Sequence, residues 1–138
     1  MASIKKIIAV VAAAATVSAL GVVAFAGTDE YTQNVFDFRL AGRGQYMWSN
    51  VAEKEDNEDY AVVYTTGGYV SSENPVYMSV HKSKSLSSSD RLSGSITVTS
   101  TSDRYEIDYT TIRGAGSYNY LYVSSGYNAA QIKGYWLP

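Results

Sequence analysis

Period-two alternation of apolar and polar residues is the feature that most constrains the fold of this chain. Phe36, Phe38 and Leu40 occupy every second position of one segment, a pattern typical of a strand with one buried face. The same alternation recurs in residues 76–81 and 104–112. No stretch after residue 26 has sustained helical periodicity, so the sequence predicts an all-β protein.

Turn residues divide this part of the chain into short strands. The predicted strands are residues 35–40, 60–65, 69–71, 76–81, 95–99, 104–112, 117–123 and 131–137. Thr66-Gly67-Gly68 indicates a glycine turn that joins the second and third of these as a hairpin. The last four, which short turns connect, are expected to form an antiparallel meander.

The serine-rich segment Lys82–Leu92 is expected to be a loop, in preference to one helical turn beginning near Ser88 or Ser89. Two packed sheets bury the apolar faces most economically. We therefore expect a small antiparallel β-sandwich of six to eight strands.

The N-terminus has the pattern of a secretory signal peptide. Lys5 and Lys6 precede an apolar run from Ile7 to Val23, and Ala24-Phe25-Ala26 supplies a small-x-small cleavage site. The run is Ala-rich and at the lower limit for spanning a bilayer, and no positive cluster follows it. We expect residues 1–26 to form a helical signal segment that is cleaved, leaving residues 27–138 as one secreted domain without a stable membrane anchor.

Composition restricts the partners of that domain. Of eleven Lys and Arg, two lie in the signal segment, so nine basic residues face thirteen acidic ones and the mature net charge is −4. A nucleic-acid partner is not expected, because such proteins present a basic face to phosphates. There is no cysteine, so the domain must fold without disulfides, which fits export from a Gram-positive bacterium better than a eukaryotic secretory route.

Tyrosine is abundant, with thirteen residues, and suits strands that have one solvated face. Tyr118, Tyr120 and Tyr122 share one face of a predicted strand, opposite Leu121 and Val123. If those two residues point into the core, the three tyrosines form an outward row, which we call the tyrosine ladder. The ladder either stacks on sugar rings or a partner's apolar groups, or only stabilises the sheet by cross-strand packing.

Tyr135 on the last strand is expected to extend the surface of the tyrosine ladder. Together with Tyr118, Tyr120 and Tyr122 it completes the predicted binding surface.

The sequence contains few residues that could serve in catalysis or bind a metal ion. His81 is the only histidine and is expected to be a surface residue on the outer face of its strand, and no Gly-x-Ser-x-Gly elbow is present. Closely spaced carboxylates in Glu53–Asp59 are of the type that calcium prefers, but the segment lacks the spaced calcium-loop pattern and is expected to be a solvated loop. We predict no enzymatic activity, no catalytic residues, no cofactor and no metal site.

The mature chain resembles a small family of secreted Gram-positive proteins classed only as a domain of unknown function. The resemblance covers nearly all of Asn34–Pro138 and depends on residues 36–40 (Phe-Asp-Phe-Arg-Leu), 118–121 (Tyr-Asn-Tyr-Leu) and 132–136 (Ile-Lys-Gly-Tyr-Trp), with the Tyr-rich strands between them. It implies a secreted β domain without an assigned activity.

The chain is more distantly similar to lactococcin 972-type bacteriocins, which also have a signal peptide, no cysteine, many aromatic residues and a β-sandwich fold. That similarity implies binding to the envelope of competing Gram-positive bacteria. This chain is longer and more acidic than those proteins and lacks their His- and Asn-rich composition, so no functional residue is transferred from them. The alternative is a non-toxic extracellular module that binds wall glycan or self-associates through its sheet edges.

Overall fold

The computed structural model describes residues 22–23 and 33–138, and for the side chains residues 34–138. The strands are β1 (Val22–Val23), β2 (Gln33–Leu40), β3 (Tyr46–Trp48), β4 (Ala52–Glu53), β5 (Tyr60–Tyr69), β6 (Val76–His81), β7 (Ile96–Val98), β8 (Arg104–Asp108), β9 (Tyr118–Ser125) and β10 (Ala130–Leu137). Within the described ranges, eight of these strands have three or more residues, which agrees with the predicted six to eight.

The strands form two antiparallel sheets. The first sheet has the order β1-β2-β10-β5-β8, and the second has the order β3-β9-β6-β7, with β4 also pairing with β9. The protein is therefore a small β-sandwich, as predicted. The described residues form no helix long and apolar enough to cross a membrane.

One apolar cluster fills the space between the sheets. Its fully buried members include Val63, Ile107, Ile132 and Trp136 from the first sheet, and Val76, Met78, Val80, Val98, Leu121 and Val123 from the second. Each fully buried Val, Leu or Ile side chain contributes about 1.5–3 kcal/mol to folding. Phe36, Phe38 and Leu40 are also buried, which confirms the face assigned to that strand.

The predicted hairpin at Thr66-Gly67-Gly68 is wrong. β5 runs without interruption from Tyr60 to Tyr69, and the glycines lie inside it. Against β10 the register moves from Gly67↔Lys133 to Thr65↔Gly134, so Thr66 is the extra residue of a β-bulge. Glycine pairs serve bulges as well as turns because both require unusual backbone angles, and Gly68 has φ 114°.

The predicted meander is also wrong. The last four strands, β7 to β10, alternate between the two sheets: β8 and β10 belong to the first, and β7 and β9 to the second. Alternation along a strand shows which face is buried, and both arrangements bury the same faces. The partner of each strand depends on the path of the connection, which the short turns did not reveal.

The segment 82–92 folds back along β6. Lys82 N–H donates to the Asp90 carbonyl at 2.8 Å and Leu92 N–H to the Val80 carbonyl at 2.8 Å. It contains a single 3₁₀ turn, Ser88–Asp90, so the less favoured alternative, a helical turn beginning near Ser88, is correct for these three residues. The rest of the segment is loop, as expected.

Most of the predicted signal segment, residues 1–26, lies outside the described residues. Val22 and Val23 are the exception, and they pair as a strand with Gln33–Asn34. At these two residues the structure therefore shows a strand where the sequence predicted a signal helix.

Candidate binding face and groove

The tyrosine ladder lies on the outer face of the second sheet. Asn119, Leu121 and Val123 of β9 are fully buried, so the alternate residues of the strand point away from the core. Tyr118 is 55% exposed, whereas Tyr120 and Tyr122 are half-buried. The predicted orientation of these three side chains is confirmed.

Two neighbouring strands enlarge this surface with further rings. β3 places Trp48 directly opposite Tyr122, and β6 places His81 opposite Tyr120. The ring centroids of Trp48 and Tyr122 are 4.9 Å apart, and those of Tyr46 and Tyr122 are 5.5 Å apart. Such spacings are within the favourable range for aromatic pairs. We call the surface formed by Tyr46, Trp48, Tyr77, His81, Tyr118, Tyr120 and Tyr122 the aromatic face.

A groove of about 390 Å³ runs along the aromatic face. Tyr77, Ser79 and Tyr122 of the second sheet line the groove, and segment 82–92 adds Arg91. The lining therefore combines ring surface, hydroxyl groups and one guanidinium. Small-molecule sites usually have this composition, a largely apolar concavity with a few polar groups that fix the ligand's orientation.

His81 is buried at one end of the groove, with 3% of its surface exposed. The prediction of a surface histidine is therefore wrong: it lies on the outer face of its strand, but Trp48 packs edge-on against its ring at 5.0 Å and segment 82–92 covers it. Alternation identified the face, but not the distant residues that cover it.

The hydrogen bonds of His81 determine its tautomer. Nδ1 lies 3.1 Å from the Ser85 carbonyl oxygen, which only accepts, so Nδ1 carries the proton. Nε2 then accepts from the Ser79 hydroxyl at 2.9 Å. Burial lowers the pKa of His81 below 6.5, and the nearby charge of Arg91 acts in the same direction, so the ring is neutral at pH 7.

Basic side chains border the aromatic face, although the protein is acidic overall. Lys84 Nζ lies 5.6 Å from the centroid of the Tyr120 ring, a cation–π distance. Arg91 Nε donates to the Ser93 carbonyl at 2.8 Å, which fixes the guanidinium beside the groove. Segment 82–92 has three basic residues and one acidic residue, Asp90, so this border is locally positive.

Tyr135 does not extend this surface, contrary to the prediction. It belongs to β10 in the first sheet, is 3% exposed, and stacks on Tyr64 with the ring centroids 4.8 Å apart. Burial raises the pKa of its hydroxyl. The prediction failed because β9 and β10 are consecutive in the chain but lie in different sheets.

The acidic run Glu53–Asp59 is only partly the solvated loop that was expected. Its second residue, Lys54, is fully buried and forms an ion pair with Asp56 at 3.0 Å. Across residues 34–138, no three or more His, Cys, Asp or Glu side chains come together in a way that would hold a metal ion.

The sequence analysis missed Tyr46, Trp48 and Arg91 as parts of the face. Tyr46 and Trp48 alternate around Met47, but three residues are too short a signal for a strand. Arg91 lies in a polar segment whose path the sequence did not predict.

No family model matches this chain, and no curated protein or solved structure matches it.

Proposed function

We propose that the protein is secreted and binds a glycan component of the Gram-positive cell envelope through the aromatic face, as a bacteriocin-like protein that acts on competing bacteria. The observation that carries the binding role is the continuous row of rings beside a groove lined by hydroxyls and Arg91. Flat rings offer their faces to sugar C–H groups, while hydroxyls and a guanidinium provide hydrogen bonds.

Two features favour a wall polymer as the ligand. The rings of the aromatic face extend beyond the groove to Tyr118, which is 55% exposed, so an extended chain can contact more of this face than a compact molecule can. Lys84 and Arg91 add positive charge beside the rings, which suits the anionic groups of envelope polymers.

Catalysis by the Ser79–His81 pair is not part of this proposal. In a serine hydrolase, a carboxylate behind the histidine stabilises the imidazolium that forms during the reaction. Here the group behind His81 is the Ser85 carbonyl, and burial already disfavours the charged ring. We assign the pair a structural role in holding the lining of the groove.

The second candidate function is a non-toxic extracellular module that binds wall glycan by the same face. Its other form, self-association through sheet edges, is less favoured by the structure. The second sheet ends at β7, which has three residues, and the first sheet ends at β8, which has charged side chains at Arg104, Glu106 and Asp108. Short and charged edges discourage pairing between chains.

Co-sedimentation of the secreted protein with purified Gram-positive cell walls tests the binding role. Tyr118→Ala should weaken wall binding by about tenfold, the loss expected for one aromatic contact, with unchanged thermal stability. The matched control is Tyr69→Ala, because Tyr69 is 56% exposed and Tyr118 55% exposed, but Tyr69 lies in the first sheet. Equal loss in both variants, or no loss in Tyr118→Ala, would contradict the assignment of the face.

A further inference from the structure

A buried polar cluster lies where β4 pairs with β9, on the inner side of the strand whose outer side carries the tyrosine ladder. Lys54 and Asn119 are both fully buried. Fully buried lysines are rare, because an ammonium loses its hydration on burial. Here the ammonium contacts Asp56 Oδ1 at 3.0 Å, and its Nζ lies 5.1 Å from the centroid of the Tyr109 ring.

The register of β4 and β9 places Lys54 beside Asn119. Ala52 pairs directly with Asn119. Two residues after Ala52, Lys54 N–H donates to the Ser117 carbonyl at 2.7 Å. Lys54 therefore lies opposite Ser117 and is the diagonal neighbour of Asn119. Both side chains point inward, and diagonal cross-strand neighbours are within reach of a long side chain.

The side-chain amide of Asn119 has a hydrogen bond at its oxygen but none at its nitrogen. Arg113 Nη1 donates to its Oδ1 at 3.2 Å. Its Nδ2 is buried and has no hydrogen-bond partner within residues 34–138. An unsatisfied buried amide nitrogen is costly, so this nitrogen requires an explanation.

From this arrangement we infer that Lys54 and Asn119 condense to an intramolecular isopeptide bond. Asp56 accepts a proton from the Lys54 ammonium, and the freed Nζ attacks Cγ of Asn119. Arg113 stabilises the negative charge that develops on Oδ1. The Cγ–Nδ2 bond then breaks as Asp56 returns its proton to the departing nitrogen, which leaves as ammonia. Nζ gives up the one proton that the new amide does not keep, and Asp56 passes this proton to the ammonia, which departs as ammonium.

The bond serves the protein in place of a disulfide. It replaces a buried charge and an unpaired buried amide group with one neutral amide. It also ties β4 to β9 in a chain that has no cysteine.

Mass spectrometry of the protein as its host secretes it tests the inference. The intact mass should be lower, by one ammonia molecule, than the mass calculated from the observed mature N-terminus. Tryptic digestion should yield a branched peptide joining residues 44–82 to residues 114–133, because a linked Lys54 resists cleavage. An unmodified mass would overturn the inference, and so would an ammonia loss without the branched peptide, which would indicate an asparagine succinimide.

Two variants test the roles of Lys54 as the nucleophile and of Asp56 as the proton acceptor. Lys54→Arg keeps the charge but should abolish the branched peptide, whereas the control Lys133→Arg, in the first sheet, should retain it. Since Lys54→Arg disturbs a buried site, Asp56→Asn provides a second test at a partly exposed position. A folded Asp56→Asn protein should accumulate the unlinked form. Complete and equally fast linkage in that variant would exclude Asp56 as the proton acceptor.

Discussion

His81 connects the groove to the pH dependence of the fold. The ring is neutral in the folded protein because burial lowers its pKa below the ordinary value of 6.5. The unfolded chain therefore takes up a proton at higher pH than the folded protein does. It follows that this contribution to stability is fully present above pH 6.5 and is lost as the pH falls towards the folded pKa.

We expect this loss to be visible against a variant without the imidazole. The free energy of unfolding should be measured for wild type and His81→Gln at pH about 7.5 and about 5. The advantage of wild type over the variant should shrink at the lower pH. Both proteins have the same carboxylates, so the difference isolates His81. A difference that is independent of pH would show that His81 does not become protonated on unfolding in this range.

At the scale of single residues, the sequence predicted well which side of a sheet each side chain points to, but predicted less well how exposed that side chain is. The inward side chains of β9 and the outward tyrosines were assigned correctly, because alternation follows directly from strand geometry. His81 and Tyr135 were predicted to be accessible and are buried. Each lies on the outer face of its sheet. Trp48 and segment 82–92 cover His81, and Tyr64 stacks on Tyr135. These covering contacts link residues far apart in the sequence.

At the scale of elements, β5 depends on two adjacent glycines with different roles. Gly68 has φ 114°, and a Cβ at that position would overlap the backbone of Gln131. Gly67 has no such constraint, since an added Cβ would meet only the flexible Lys133 side chain, at 3.4 Å. The bulge at Thr66 thus requires glycine at one of the two positions.

Alanine substitution should separate these roles. Gly68→Ala should lower the free energy of unfolding by at least about 2 kcal/mol, because the variant combines an unfavourable φ with a backbone clash. Gly67→Ala should change it by less than about 1 kcal/mol. Urea denaturation of both variants measures the two values. Equal losses would mean that the bulge is not fixed at the observed register.

The strands were easier to predict than their partners. Most segments with clear alternation became strands close to their predicted bounds, including β9 and β10. The hairpin and the meander failed for one reason: local patterns specify the buried face of a strand, whereas pairing depends on contacts across the whole chain. β3 and β4, each of at most three residues, carry too little pattern to be recognised.

At the scale of the whole molecule, charge and aromatic surface are distributed unevenly. The chain is acidic overall, with a net charge of −2, yet segment 82–92 presents basic residues beside the rings of the second sheet. The first sheet instead has an edge with both charge signs, at Arg104 and Glu106, which pair at 2.7 Å. A negatively charged envelope polymer would therefore approach the aromatic face with the most favourable orientation.

Growth inhibition distinguishes the two candidate functions of the molecule. If the protein is bacteriocin-like, the secreted form at micromolar concentration should inhibit some Gram-positive strains and spare its producer. Because envelope binding is the first step, Tyr118→Ala should lose most of the inhibition, and Tyr69→Ala, with equal exposure in the other sheet, should retain it. Wall binding without inhibition of any strain would leave the non-toxic module as the function, since the aromatic face would then recognise its ligand without harming the cell.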